Sequence, residues 1–258
     1  NPEKPQQMWE FVEGVRGISD ACKTITLKHS PEDPTPIIAG NVSFYNESKN
    51  KSIPPSPIVS CLGKIKNVKK TTTMSFKNEN SSIIMIGKRK NELGGSIYYS
   101  LQNELGKELP KPSLVEVKNQ IYGITDCIEN DLIVSCHDIS EGGIATALCE
   151  MTFENFIGCT IKIESMMSNE KILFTETGGF ILEAKNDQVE SIKSIFNQYN
   201  LEFNDTSNNT LSYILSISQK LDGVVGYFIS YKKLSGAGDP FGVRRSVLSI
   251  IKLCIEKN

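Results

Sequence analysis

The residues best placed to do chemistry lie in Pro36–Glu47, PIIAGNVSFYNE. The apolar run Ile37, Ile38, Ala39 leads into Gly40, and Asn41 and Ser43 follow directly. A strand that ends on glycine has no Cβ to hold off a phosphate, so a nucleotide can lie against the backbone. The amide oxygen of Asn41 is a competent Mg2+ ligand, and the Ser43 hydroxyl can hold a second substrate. The same residues also suit a plain β-hairpin: a strand ending near Tyr45, a loop over 46–57 and a second strand over Ile58–Ile65. The two readings are compatible, because a ligand can sit at a strand end.

Two glycine-rich turns offer further chemistry. Glu92-Leu93-Gly94-Gly95-Ser96 opens toward a helix through Leu101, and its glycine pair can bare amide N–H groups to an anion or simply turn the chain. The apolar run in Leu132–Ser140, LIVSCHDIS, delivers His137 and Asp138 to a strand end, and Glu141-Gly142-Gly143 leads into a helix. Strand ends followed by helix N-termini are where α/β layers place ligands. Asp138 can coordinate Mg2+ or cap a turn, and His137 can be a base or a satisfied structural group. Cys127, Cys136, Cys149 and Cys159 show no C-x-x-C spacing, which argues against zinc.

The elements that position these residues are legible as periodicities. Pro5 suits a first helical turn, and Met8, Phe11, Val12, Val15, Ile18, Cys22 and Ile25 make a helical stripe with one buried face. Gly14 and Gly17 inside it cost about 1 kcal/mol each relative to Ala, which close packing against a sheet would offset. Thr26–Thr35 reads as a loop and Lys66–Phe76 as an irregular connection. Ser82–Ile86, SIIMI, reads as a buried strand, and Leu114, Val117, Ile121, Ile124 and Ile128 as a helix stripe. Ile144, Leu148 and Met151 share another helix face. Thr160–Ile163, Gly179–Ala184 and Leu201–Phe203 read as strands, with a helix carrying Val189, Ile192, Phe196 and Tyr199 before the last. Sheet and helices in this order predict an α/β layer. Residues 205–210 have linker composition. Beyond them, Leu221, Val224, Val225 and Phe228, then Val247, Ile250, Ile251 and Cys254, predict two amphipathic helices.

Composition bounds the rest. With 258 residues, 39% apolar and 22% charged, the chain can bury a core in one or two domains. The formal net charge of −2 argues against a nucleic-acid surface, although Ser218–Asn258 carries seven Lys/Arg against three Asp/Glu. No apolar run approaches the roughly 18 residues that span a bilayer, and the N-terminus has no charged-then-apolar leader pattern. Seven scattered cysteines suit reduced thiols, so a cytoplasmic location is expected.

NPEKPQQMWEFVEGVRGISDAC, GNVSFYNES, ELGGS and CHDISEGGIATALCEM stand in the order found in the second half of phosphoribosylformylglycinamidine synthases of the PurL type. Residues 1–203 resemble that family. The resemblance implies an α+β, aminoimidazole-ribonucleotide-synthetase-like (PurM-like) unit divided into 1–80, 81–207 and a helical tail, 208–258. It also implies ATP-dependent conversion of formylglycinamide ribonucleotide to its amidine, with ammonia from a glutaminase subunit and Mg2+ as cofactor. Carried over by motif, Gly40 would contact ATP, Asn41 would bind Mg2+ and Ser43 would touch the ribonucleotide. In that family the catalytic first half precedes this segment, so the chain is expected to be a fragment, inactive alone. From Lys220, KLDGVVGYF and SGAGDPFGVRRSVLSIIK resemble the glycyl-tRNA synthetase β-subunit.

Four functions follow as expectations. The chain is one wall of the synthetase site, or a nucleotide-binding or interaction module that complements a separate first half. Less favoured are a role in translation through the tail and a fusion product without function.

Overall fold

The computed structural model describes residues 1–205 apart from 50, 156, 162 and 164. The two tail helices expected beyond Leu221, and their docking, lie outside the described residues. Helix α1 spans Pro5–Thr24, with proline at its start and Lys23 in its last turn, where a cation complements the helix dipole. A minimal hairpin follows, β1 (Glu47–Ser48) against β2 (Lys51–Ser52). The remaining elements are β3 (Ser82–Ile86), α2 (Ile97–Leu101), α3 (Leu114–Glu129), β4 (Ile133–Ile139), α4 (Gly143–Met151), α5 (Asn169–Phe174), β5 (Gly179–Ala184), α6 (Val189–Gln198) and β6 (Phe203–Asp205).

Strands β4, β5, β3 and β6 form one sheet in that order, each neighbouring pair antiparallel. Helices cover both faces, so the fold is α+β with the sheet as its middle layer. Every residue of β3 is buried, as its unbroken apolar run requires when both faces are covered. Side chains alternate across it. Ile83 and Met85 join Ile144, Leu148, Met151 and Ile172 beneath α4 and α5. Ile84 and Ile86 join Ile124, Cys127, Ile192 and Phe196 beneath α3 and α6. A Cβ on Gly123 would come within 2.8 Å of the Phe196 ring, so glycine lets α3 and α6 approach closely.

One charge enters this core. Glu183 of β5 is fully buried. It accepts hydrogen bonds from Lys77 N (2.9 Å), Asn78 N (2.8 Å), Ser81 Oγ (3.0 Å) and Ser135 Oγ (2.8 Å). The carboxylate thus clips the 77–81 turn onto β4 and β5.

Four expectations are corrected. Residues 36–46 and 57–65 belong to no strand, Tyr45 standing at φ +60°, and the small hairpin lies inside the expected loop. A two-stranded hairpin without an apolar layer beneath it is marginal, and here Ile38 and Ile58 are 79% and 94% exposed. Helix α1 forms but buries no residue. A Cβ on Gly17 would meet nothing within 4 Å, and one on Gly14 only Pro57, so no sheet packs against them. Residues 160, 161 and 163 are not in a strand; Ile161 and Ile163 instead pack against the core beneath α4. Helix α5, which the sequence reading does not anticipate, stands nearby. The last strand begins two residues later than expected, because Leu201 turns inward with its N–H on the Phe196 carbonyl at 3.1 Å.

Candidate functional site

The segment bearing Gly40, Asn41 and Ser43 runs beside α1, held at a few points. Thr35 N donates to the Cys22 carbonyl (2.9 Å). The rings of Phe44 and Phe11 meet edge-on with centroids 5.4 Å apart. Beyond them, Lys4 Nζ donates to Glu47 at 2.6 Å, and Asn1 Nδ2 to the same oxygen at 3.0 Å. The hydrogen bond from Lys4, then that from Asn1, and the Lys4 charge hold the Glu47 carboxyl below the usual carboxylate range. Farther along, Lys28 pairs with Asp126, and the hydroxyls of Thr26 and Tyr122 lie 3.0 Å apart, fixing the end of α1 to α3.

Gly40, Asn41 and Ser43 are all exposed. A Cβ on Gly40 would meet nothing within 4 Å. Among the described residues the Asn41 amide makes no hydrogen bond, and the Ser43 carbonyl accepts only from Asn46 Nδ2 at 3.1 Å. No hydrogen bond or ion pair described here joins these three residues to the glycine-rich turns of the sheet domain. Asn41 is therefore open to a ligand, but a single amide oxygen is far from a complete octahedral Mg2+ shell. Among the described residues no group of three His, Cys, Asp or Glu side chains is placed to hold a metal.

The structure brings a second set of motifs together. Glu176, just before β5, accepts from both Ile97 N (2.8 Å) and Gly142 N (2.9 Å) through one oxygen. It therefore ties the start of α2 to the start of α4. Thr177 Oγ1 donates to Glu92 (3.0 Å), and Arg89 Nη2 donates to the Gly178 carbonyl (2.8 Å). The rings of Tyr98 and Phe174 stack at 4.7 Å alongside. Burial lowers the Arg89 guanidinium to about 10, opposed by Glu116 and Glu92, so it stays charged at neutral pH.

Of the two readings of ELGGS, the geometry favours the plain turn. Gly94 N donates to the Glu108 carbonyl (2.8 Å) and Gly95 N to that of Leu105 (2.7 Å), which leaves neither amide for an anion. A Cβ on Gly94 would lie 2.8 Å from the Glu108 carbonyl. Gly143, at φ +67°, would drive a Cβ into the backbone between Leu173 and Thr175. These glycines serve close packing.

His137 is engaged on both sides. Nε2 lies 2.9 Å from Glu150 and Nδ1 lies 3.3 Å from Asp138. With both nitrogens occupied, it is held as a link between β4 and α4 rather than poised as a base. Glu176 and Glu183 are the important polar residues that the sequence reading passes over. A lone glutamate in the apolar run GFILEA was the available signal for Glu183.

Residues 78–205 match the family model described as AIR synthase related protein, C-terminal domain. A second model, glycyl-tRNA synthetase beta subunit, matches 177–258 and so overlaps the first. In the overlap, β5 pairs on both sides within the sheet, with β3 and with β4. The chain is 38% identical over 204 residues to the phosphoribosylformylglycinamidine synthase subunit PurL of Methanothrix thermoacetophila, covering 78% of this chain and 27% of that one. The corresponding subunit of Alkaliphilus metalliredigens is 35% identical over 203 residues, covering 78% and 26%. These matches are longer than all that follows Lys77, so they take in residues before the stretch that the first model matches. The chain spans about a quarter of the length of these relatives. A solved structure of Thermotoga maritima PurL complexed with FGAR superposes with a TM-score of 0.48 at 14% identity, covering 54% of this chain and 25% of that one. Among the described residues no helix is long and apolar enough to cross a membrane.

Proposed function

We propose that this chain is part of a phosphoribosylformylglycinamidine synthase and forms one wall of its nucleotide and ribonucleotide site. The observation that carries the reading is the 204-residue match to PurL subunits. The order of GNVS, ELGGS and HDISEGG along the chain supports it. The division into 1–80, 81–207 and 208–258 belongs to the same proposal, as does a cytoplasmic setting.

The reaction proposed for the whole synthetase transfers the γ-phosphoryl group of ATP to the amide oxygen of formylglycinamide ribonucleotide. Ammonia from a glutaminase subunit then adds to that carbon, and phosphate leaves with the oxygen to give the amidine. In this chain Gly40 leaves the backbone open to a nucleotide phosphate. Ser43 offers a hydroxyl to the ribonucleotide. Asn41 can supply one oxygen to Mg2+, whose other ligands must come from phosphates, water and residues elsewhere. Bound Mg2+ neutralises phosphate charge. The remaining catalytic groups are assigned to a separate first half, so this chain alone is expected to give no turnover.

Two measurements test the reading. ATP hydrolysis dependent on formylglycinamide ribonucleotide and ammonia should be absent from the chain alone and appear when a first half is supplied; turnover from the chain alone would refute the division of labour. Asn41→Ala should weaken Mg-ADP binding in the complemented protein by about tenfold, near 1.4 kcal/mol. It should change stability by less than about 0.5 kcal/mol, as is usual for an exposed loop position. Calorimetry showing equal affinities would leave Asn41 as a turn residue only.

A further inference from the structure

We propose that residues 64–70, KIKNVKK, are a contact surface for anionic lipid headgroups, by which the chain rests on a bilayer without crossing it. The inference goes beyond the function proposed above and uses none of the site residues named there.

Charge is segregated by sign along the sequence. Between Ser48 and Asn78 stand seven lysines and no Asp, Glu or Arg, whereas the rest of the chain carries 21 Lys/Arg against 30 Asp/Glu. Four of the seven lysines fall in residues 64–70. The local structure gives them different tasks. Asn67 caps a single 3-10 turn, Val68–Lys70, its side-chain oxygen accepting from Lys69 N at 3.0 Å. Lys70 Nζ donates to the Glu129 carbonyl (2.6 Å) and to Asp131 (2.8 Å), which fixes the turn to the junction of α3 and β4. Lys64, Lys66 and Lys69 are exposed, and among the described residues their ammonium groups meet no carboxylate. Between them, Ile65 is 61% and Val68 75% exposed. One anchored lysine thus presents three free cations with two bare apolar side chains among them.

Chemistry selects the occupant. Lysine is a compact, strongly hydrated point charge, suited to a dense field of anions, whereas bidentate recognition of a single phosphate is arginine's part. Nucleic acid is the other polyanion, but its single strands are held by stacking on aromatic rings. Residues 46–75 contain no Phe, Tyr or Trp. A phosphodiester backbone also offers no apolar phase to Ile65 and Val68. A bilayer offers both partners: an anionic surface worth about fivefold in affinity for each lysine near it, and an acyl boundary just beneath for apolar side chains. The acidic remainder of the chain does not oppose this, because surface charge is felt over only about 8 Å at physiological salt.

The test is co-sedimentation of the full chain with vesicles of phosphatidylcholine, alone or with about 30% phosphatidylserine, in about 0.1 M salt. Binding is expected to the anionic vesicles only, fading as salt is raised. Lys64→Gln, Lys66→Gln and Lys69→Gln together should weaken it about a hundredfold. Ile65→Ser with Val68→Ser should weaken it at least about fivefold with every charge intact. Neither set should move the thermal midpoint, because these side chains are exposed, so lost binding would not reflect lost fold. Equal binding to both kinds of vesicle, or binding to neither, would overturn the proposal. So would binding that the lysine variant retains, which would move the contact to another stretch such as the basic one after Ser218. Tighter binding to a single-stranded RNA homopolymer than to the anionic vesicles would overturn it too, and make the tract a nucleic-acid surface instead.

Discussion

The two regions of this chain use their apolar residues in opposite ways. No described residue in 1–74 is buried, whereas the sheet domain beyond it has apolar clusters on both faces. Helix α1 and helix α3 have similar amphipathic stripes. Yet α1 buries nothing, and α3 buries Gln120, Gly123, Ile124 and Cys127. The difference is the presence of a sheet. A stripe states which face needs covering, and only the rest of the fold states what covers it.

If the contrast is energetic, substitutions should divide along it. Phe196→Ala empties a fully buried ring site between α6 and α3. It should cost about 4 kcal/mol in urea unfolding of the full chain. Glu183→Ala removes the acceptor for two backbone amides and two hydroxyls. Stranding buried donors should cost about 3 kcal/mol in the same assay, and near-neutral behaviour would show that the 77–81 turn does not depend on the clip.

Thiols give a third comparison. Burial pushes Cys127, Cys136 and Cys159 up to about 12, with nearby Asp126 and Asp138 adding to the first two. A raised acid binds its proton more tightly in the folded state. The stability it contributes is complete below the ordinary thiol value of 9.0 and is lost as pH rises toward about 12. Unfolding midpoints should therefore fall steadily through that window. At pH 8 a thiol reagent should modify exposed Cys61 promptly and buried Cys127 only on unfolding. Rapid labelling of Cys127 in the folded chain would contradict the layered core.

The smallest effect should come from α1. Val15→Ala, at a half-exposed position, should change stability by less than about 0.5 kcal/mol. A loss approaching that of Phe196→Ala would erase the distinction between the regions.

Much of the sheet domain was legible because its periods are strong. SIIMI, the stripe from Leu114 to Ile128 and the run GFILEA all become the expected elements. Helix α5 was not, since Asn169–Phe174 is too short to show a period. The pairing of 36–46 with 57–65 was misread for a physical reason: an apolar run beside turn-forming residues suggests a strand, and nothing local reveals whether a partner strand is at hand. Gly40, Asn41 and Ser43 were singled out by residue type, but their roles came from resemblance, and the geometry leaves them open without bringing them to a second group. Glu176 and Glu183 act through neighbours 34 to 106 residues away, a range at which local pattern is silent.

Strand order also has a consequence for biosynthesis. β5 lies between β4 and β3, and neither of those strands pairs directly with the other. On the ribosome, β3 and then β4 emerge without their sheet partner, and no pairing between named strands of this sheet can form until Gly179–Ala184 is out. At translation rates of about 5–20 residues per second, β3 waits roughly 5–20 s. Throughout that interval SIIMI, an apolar segment with no charge and no proline, is uncovered on the nascent chain, the period when capture by a chaperone matters most.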